Sequence, residues 1–133
     1  MGSAVFTREG DDITLVLDLQ NITPEGLHGT HIHEVGDCSA EDGTSAGGHW
    51  NPFGMQHGML GMGESHLGDM GNAVVEANGD GLLTITTDQW TVGTGDDTDI
   101  IGRAIIVHEG EDDLSTMPSP GARIACGVIV AGG

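Results

Sequence analysis

His31 and His33 are separated by one residue within a stretch, 27–34, that reads as a β-strand. Side chains two apart on a strand share a face, so these imidazoles lie about 7 Å apart along the chain and can grip one ion. Neutral imidazole suits copper and zinc, whereas a hard ion such as magnesium asks for oxygen ligands. Further on, His57, His66 and Asp69 follow at spacings of nine and three. Two imidazoles and a carboxylate hold zinc tetrahedrally once one more nitrogen joins them, and His49 can supply it. His108 ends the apolar run Ile100–Val107, where a strand end delivers a fixed ligand into a site built by others. An isolated His-x-His recurs by chance, and seven histidines could be surface decoration or pH sensors. Six histidines and one aspartate in this order of strand and loop contexts carry the metal reading. A single deprotonated imidazole has two ring nitrogens and can serve two dications.

The elements that must position these side chains read as all β. Ile13, Leu15, Leu17 and Leu19 alternate with Thr14, Val16, Asp18 and Gln20, the period of a half-buried strand. Similar short strands are expected at 3–8, 27–34, 72–77, 82–87, 101–108 and 123–130. Turn signals separate them, among them Glu9-Gly10-Asp11, Asn78-Gly79-Asp80-Gly81 and Thr94-Gly95-Asp96-Asp97. Short strands with frequent turns indicate a sandwich or barrel. The exception is the Gly-rich stretch 36–71, longer than the ~12 to 15 residues usual for a structureless loop. Loops of that length are functional, and this one carries His49, His57 and His66.

With 133 residues the chain makes one domain, 1–133, with one core. It holds 24 glycines, four aromatic residues and no Tyr, so the core needs help. Twenty-one acids against three bases, Arg8, Arg103 and Arg123, leave a formal charge of −18, a self-repulsion that opposes compaction. Nucleic acid and anionic membrane are excluded as partners, because phosphate binding needs a basic patch. No apolar run approaches the ~18 residues that span a bilayer. Met1-Gly2-Ser3 lacks the features of a signal peptide and reads as a sequence added ahead of the domain. Cys38 and Cys126 lie far apart and make no Cys-x-x-Cys motif. A bridge between them is expected, the alternative being two buried thiols. Closing that loop stabilises by at most about 4 to 5 kcal/mol in the chain-entropy account, and suits an oxidising compartment.

Several segments together resemble a known family. They are Gly26-Leu27-His28-Gly29-Thr30-His31-Ile32-His33-Glu34, Ser45-Ala46-Gly47-Gly48-His49-Trp50-Asn51-Pro52, His66-Leu67-Gly68-Asp69, Ile101-Gly102-Arg103 through His108-Glu109, and Arg123-Ile124-Ala125-Cys126-Gly127. From about residue 4 to 130 the chain is similar to copper/zinc superoxide dismutases. The resemblance implies a Greek-key β-sandwich or barrel, here of about seven strands, with long metal-binding and electrostatic loops. It implies copper on His31, His33, His49 and His108, and zinc on His49, His57, His66 and Asp69, with His49 as the bridge. Asp112 matches a carboxylate that links a copper histidine to a zinc histidine, and His28 a histidine packed under the copper site without ligating. Arg123 matches the arginine that attracts superoxide. The implied reaction turns two superoxide anions into O₂ and H₂O₂, copper exchanging the electron, His49 relaying a proton and zinc taking no redox part. A Cys38–Cys126 disulfide would tether the loop that places Arg123. The position of Cys38, five residues after His33, matches the bacterial branch and implies a periplasmic or extracellular setting.

Three departures from that pattern stand out. Ala4-Val5-Phe6 aligns best with the family's second strand, so one barrel edge is expected to be missing: either the exposed edge pairs with another copy in a homodimer, or the chain is a fragment or a natural truncation. The loop between His108 and Arg123 is shortened and has no Lys, which weakens attraction of the anion. Met55, Met59, Met62 and Met70 crowd the loop of His57 and His66; thioethers suit copper(I), but methionine is read here as filling gaps. The alternative to the enzyme is a non-catalytic copper- and zinc-binding module, a buffer or delivery domain on the same barrel.

Overall fold

The computed structural model describes residues 2–115 and 121–131. Seven strands appear: β1 Gly2–Glu9, β2 Asp12–Leu19, β3 Gly26–His33, β4 Asp69–Val75, β5 Gly81–Thr87, β6 Ala104–His108 and β7 Arg123–Val128. They form one antiparallel sheet in the order β1-β2-β5-β4-β3-β6-β7, curled into a half-barrel. The alternation in β2 does what its period requires. Ile13, Leu15, Leu17 and Leu19 are buried and meet Ile32, Trp50, Met70, Val75, Trp90, Ile105 and Val107 in one core. Phe6 meets the edge of Trp90 at 5.8 Å between ring centroids. The Trp90 indole N–H donates to Leu67 O at 2.8 Å, which ties the long loop to the core.

Most strand bounds fall within two residues of expectation, and two starts differ by three, each for a local reason. Asp69 begins β4 instead of closing the loop, because it pairs across the ladder with His31. β6 starts at Ala104 instead of residue 101, because Gly102 has φ +86 and Arg103 N–H turns back to Ile100 O. The register of β3 on β4 shifts between Gly29 and His31. Among the described residues β1 pairs only with β2 and β7 only with β6. Both line one apolar cavity of about 720 Å³, with Leu17, Ile105 and Val107 in its wall.

The loop from residue 34 to 68 is not structureless. Its return strand runs beside the end of β3, with Glu34 N–H to Gly48 O, Trp50 N–H to Ile32 O and Ile32 N–H to Gly68 O. A Cβ on Gly68 would stand 2.3 Å from Ile32 O, so only glycine permits that approach. Cys38 and Cys126 form a disulfide with Cα atoms 5.7 Å apart, inside the normal span. The expected bridge is present, and it fastens this loop to β7.

Candidate metal centre

Three strand-borne imidazoles are oriented by bonds at their far nitrogens. His31 and His33, both fully buried on β3, have ring centroids 6.1 Å apart. His33 Nδ1–H donates to Gly47 O at 2.9 Å, and His108 Nδ1–H, at the end of β6, to Gly121 O at 3.0 Å. His31 Nε2–H donates to Asp112 Oδ2 at 2.6 Å. Each bond sets a tautomer and leaves the opposite nitrogen with a free lone pair. His31 Nδ1, His33 Nε2 and His108 Nε2 are buried without a hydrogen-bond partner. With one nitrogen of His49 they form a set of donors within 4.8 Å of one another. Burial pushes His31 down to about 4 against the hydrogen bond to Asp112, pushes His33 down to about 3, and lowers His108. All three are therefore neutral near pH 7, as a metal ligand must be.

The second set converges on Asp69. Its Oδ1 lies 2.8 Å from His57 Nδ1, 3.3 Å from His66 Nδ1 and 3.6 Å from His49 Nδ1. The two Nδ1 atoms of His49 and His66 are 3.2 Å apart. Four ligands about 2.0 Å from a tetrahedral ion stand roughly 3.3 Å from one another, which these separations match. His57 Nδ1 and Asp69 Oδ1 are close, yet neither has an aligned hydrogen bond, so both point at a third place. Asp69 Oδ2 meanwhile accepts the backbone N–H of Gly58 at 2.9 Å and of His66 at 2.7 Å. Burial works against its charged form, but His49, His57 and the Gly58 amide hold its carboxyl well below the usual range. His31 also falls within 4.8 Å of His49, His57 and Asp69. That proximity follows from its stacking on His49 at 4.0 Å, and its free Nδ1 serves the first set.

One carboxylate joins the sets from behind. Asp112 Oδ2 accepts His31 Nε2–H and, at 2.7 Å, His57 Nε2–H. Desolvation opposes protonation of His57, but Asp112 and Asp69 on either side raise it to about 9. Asp112 itself is held well below the usual carboxylate range, burial being outweighed by the two imidazoles. His28 is buried in neither set, its ring nitrogens 2.8 Å from His108 O and 2.7 Å from Pro24 O. Arg123 stands opposite His108 across β6 and β7 and donates from Nη1 to Gly43 O at 2.8 Å. Its stem covers Gly43, whose φ is +76 and where a Cβ would meet it at 3.0 Å.

All the metal-binding candidates of the sequence thus gather in one place, with Asp112 between them and Arg123 on the β6–β7 side. Sequence reasoning missed Asn72, whose side chain reaches the backbone of Asp112; a lone asparagine in a strand carries no signal. It also missed Arg103, whose guanidinium lies 4.4 Å over the ring of Trp50, the neighbour of His49. The expected shortening of the loop before Arg123 concerns in part residues 116–120, which lie outside the described residues.

The sequence profile described as copper/zinc superoxide dismutase matches residues 1–129. The chain belongs to the copper/zinc superoxide dismutase family. Among solved structures, it is similar to a double mutant of a SOD-like protein from Bacillus subtilis, with TM-score 0.86 and 32% identity over 98% of this chain and 89% of that one. The clock protein EA4 matches with TM-score 0.84 and 32% identity over 96% and 84%. A single-site mutant of the SOD-like protein from Bacillus subtilis gives 0.86 and 29% over 98% and 90%. The superoxide dismutase fold is therefore shared across nearly the whole of this chain.

Proposed function

We propose that this chain is a superoxide dismutase, with copper held by His31, His33, His49 and His108 and zinc by His49, His57, His66 and Asp69. One observation carries the reading: His49 belongs to both donor sets, its Nδ1 facing Asp69 and His66. The residues fit the metals chemically. Among the described residues, five of the six buried polar side-chain atoms without a hydrogen-bond partner belong to these sets, and such atoms are costly unless an ion satisfies them. Four imidazole nitrogens suit copper, and three imidazoles with one carboxylate suit zinc. When bound, copper supplies the one-electron exchange that oxidises one superoxide to O₂ and reduces the next to peroxide, beside the fixed charge of zinc.

The protein's own groups do the rest. Arg123 spends one N–H on Gly43 O and offers the remainder to the anion, as charge-assisted donors to developing peroxide. His49 holds a proton at Nε2 in one half of the cycle and passes it to the product in the other, while its Nδ1 stays with the second set. Two superoxide anions and two protons thereby give O₂ and H₂O₂. Asp112 keeps His31 and His57 in the tautomers that face the metals. The disulfide favours an exported, periplasmic or extracellular protein. Superoxide is the partner the site addresses, and a homodimer remains part of the proposal.

Metal analysis of protein loaded with copper and zinc, paired with a superoxide-decay assay on the same sample, tests this. One copper and one zinc per chain with accelerated decay is expected. Full loading with decay at the buffer rate would assign the domain to metal buffering or delivery instead.

A further inference from the structure

Asp112 lies in irregular chain beyond β6, yet its carboxylate must meet two histidines from different parts of the fold within 0.1 Å of the same hydrogen-bond length. Something must hold its backbone. The Asn72 carboxamide, on β4, does so twice: Asn72 Oδ1 accepts Asp112 N–H at 2.7 Å, and Asn72 Nδ2 donates to Asp112 O at 2.9 Å. A side-chain amide that spans both peptide groups of one residue fixes that residue's position and rotation together, as a neighbouring strand would. Nearby, Gly29 N–H donates to Gly110 O at 2.8 Å, and Gly29 is the cross-strand partner of Asn72. The last regular pair before the β3–β4 register shift therefore presents one clamp for residue 110 and another for residue 112. His31, two residues beyond Gly29, receives its carboxylate from the clamped segment.

We infer that Asn72 is a positioning residue for both metal sets, acting through the backbone of Asp112 on His31 and His57. The inference rests on the metal assignment above, but it concerns binding and imidazole geometry, so it can fail while that assignment stands. Among the described residues the Asn72 carboxamide hydrogen-bonds to the backbone of Asp112 and to no histidine, whereas Asp112 bonds one histidine of each set. Loosening Asn72 should therefore disturb His57, in the second set, and His31, in the first, without removing a donor.

The test is a double-mutant cycle on the whole chain, reading zinc affinity by chelator competition and the Cu(II) electron paramagnetic resonance spectrum. Asn72→Ala should weaken zinc about tenfold, the low end of what loss of an outer partner costs a metal site, and alter the copper spectrum. In Asp112→Ala, whose carboxylate is already gone, adding Asn72→Ala should leave zinc affinity and spectrum where they are, although the thermal midpoint falls further. A merely structural role would lower the midpoint and carry its metal loss into both backgrounds. Should Asn72→Ala not fold, Asn72→Asp keeps the acceptor and loses the donor, and the metal-free protein offers a second reading. In it the Nε2 protons of His31 and His57 should exchange with solvent faster than in the parent by nuclear magnetic resonance. Unchanged zinc affinity and copper spectrum in a folded Asn72 variant, unchanged proton exchange, or an equal additional loss in the Asp112→Ala background, overturns the inference. If parent and variant show this pattern while loaded protein leaves superoxide untouched, the dismutase reading alone is lost.

Discussion

Arg123 is the cross-strand partner of His108, at the point where the β6–β7 register shifts. A strand position thereby sets a cation beside an imidazole of the first donor set, and its charge helps hold His108 and His33 neutral after burial has done most of that work. Three residues beyond Arg123, Cys126 is bonded to Cys38, and the loop so fastened returns Gly43 O to the guanidinium. The arginine is thus held from its strand and from the loop opposite.

The role proposed for Arg123 predicts an unusual response to salt. The net charge of −18 would repel superoxide, while in the proposed site Arg123 and bound metals would attract it. At ~0.15 M salt the Debye length is about 8 Å, which screens distant acids more than a contact at Arg123. With metal content constant, the rate should be flat or rise between roughly 0.01 and 0.15 M ionic strength. A steep fall would show that the local field outweighs the body of the protein. Arg123→Glu should slow the reaction about tenfold or more at every salt concentration, since a hydrogen bond to a charged group contributes about 1.5 to 3 kcal/mol.

The two donor sets are expected to separate by mutation. His49→Ala should lose both metals, because His49 belongs to both sets. His108→Ala should release copper and spare zinc, because the contacts of His108 lie in the first set. Metal content after dialysis measures this, and equal loss of both metals in the two variants would break the bridge assignment.

Reduction of Cys38–Cys126 should act on stability and activity together. The chain-entropy account gives at most about 4 to 5 kcal/mol for a loop of this length, and loosening residues 38–48 frees Gly43 from Arg123. Activity should fall at lower reductant than the fold, followed by superoxide decay and circular dichroism on one sample. An unchanged thermal midpoint after verified reduction would contradict it.

Without metal, stability should peak near pH 6.5. In the unfolded chain histidines titrate near 6.5, but folded His31 and His33 accept protons only near about 4 and about 3. Below pH 6.5 the unfolded state therefore binds protons the fold refuses, and stability falls. Asp69 and Asp112, held below their ordinary range, continue the loss at more acid pH. His57 has the opposite sign. Raised to about 9, its contribution is complete below pH 6.5 and is lost as pH rises toward that value. Thermal midpoints in chelator across this range measure the balance; a midpoint still climbing at pH 9 would refute it.

Periodicity alone was enough for β2, since a strand with Ile13, Leu15, Leu17 and Leu19 on one side can turn only that face to a core. Ligand types were equally legible, because His-x-His on a strand and two histidines with an aspartate in a long loop restrict the chemistry before any fold is known. The pairing of Cys38 with Cys126 followed from there being no other cysteine. Tertiary structure decided what no local pattern encodes. Asp69 joined β4 because His31 stands opposite it, and the 34–68 loop gained order from hydrogen bonds to Ile32 and Glu34. The tautomers of His31, His33 and His108 were set by Asp112, Gly47 and Gly121, residues 81, 14 and 13 positions away. Asn72 became visible only through its contact with Asp112, 40 positions on. Sequence periodicity reports which face of an element avoids water. The direction of a hydrogen bond between distant segments depends on where those segments meet, and only the packed chain determines that.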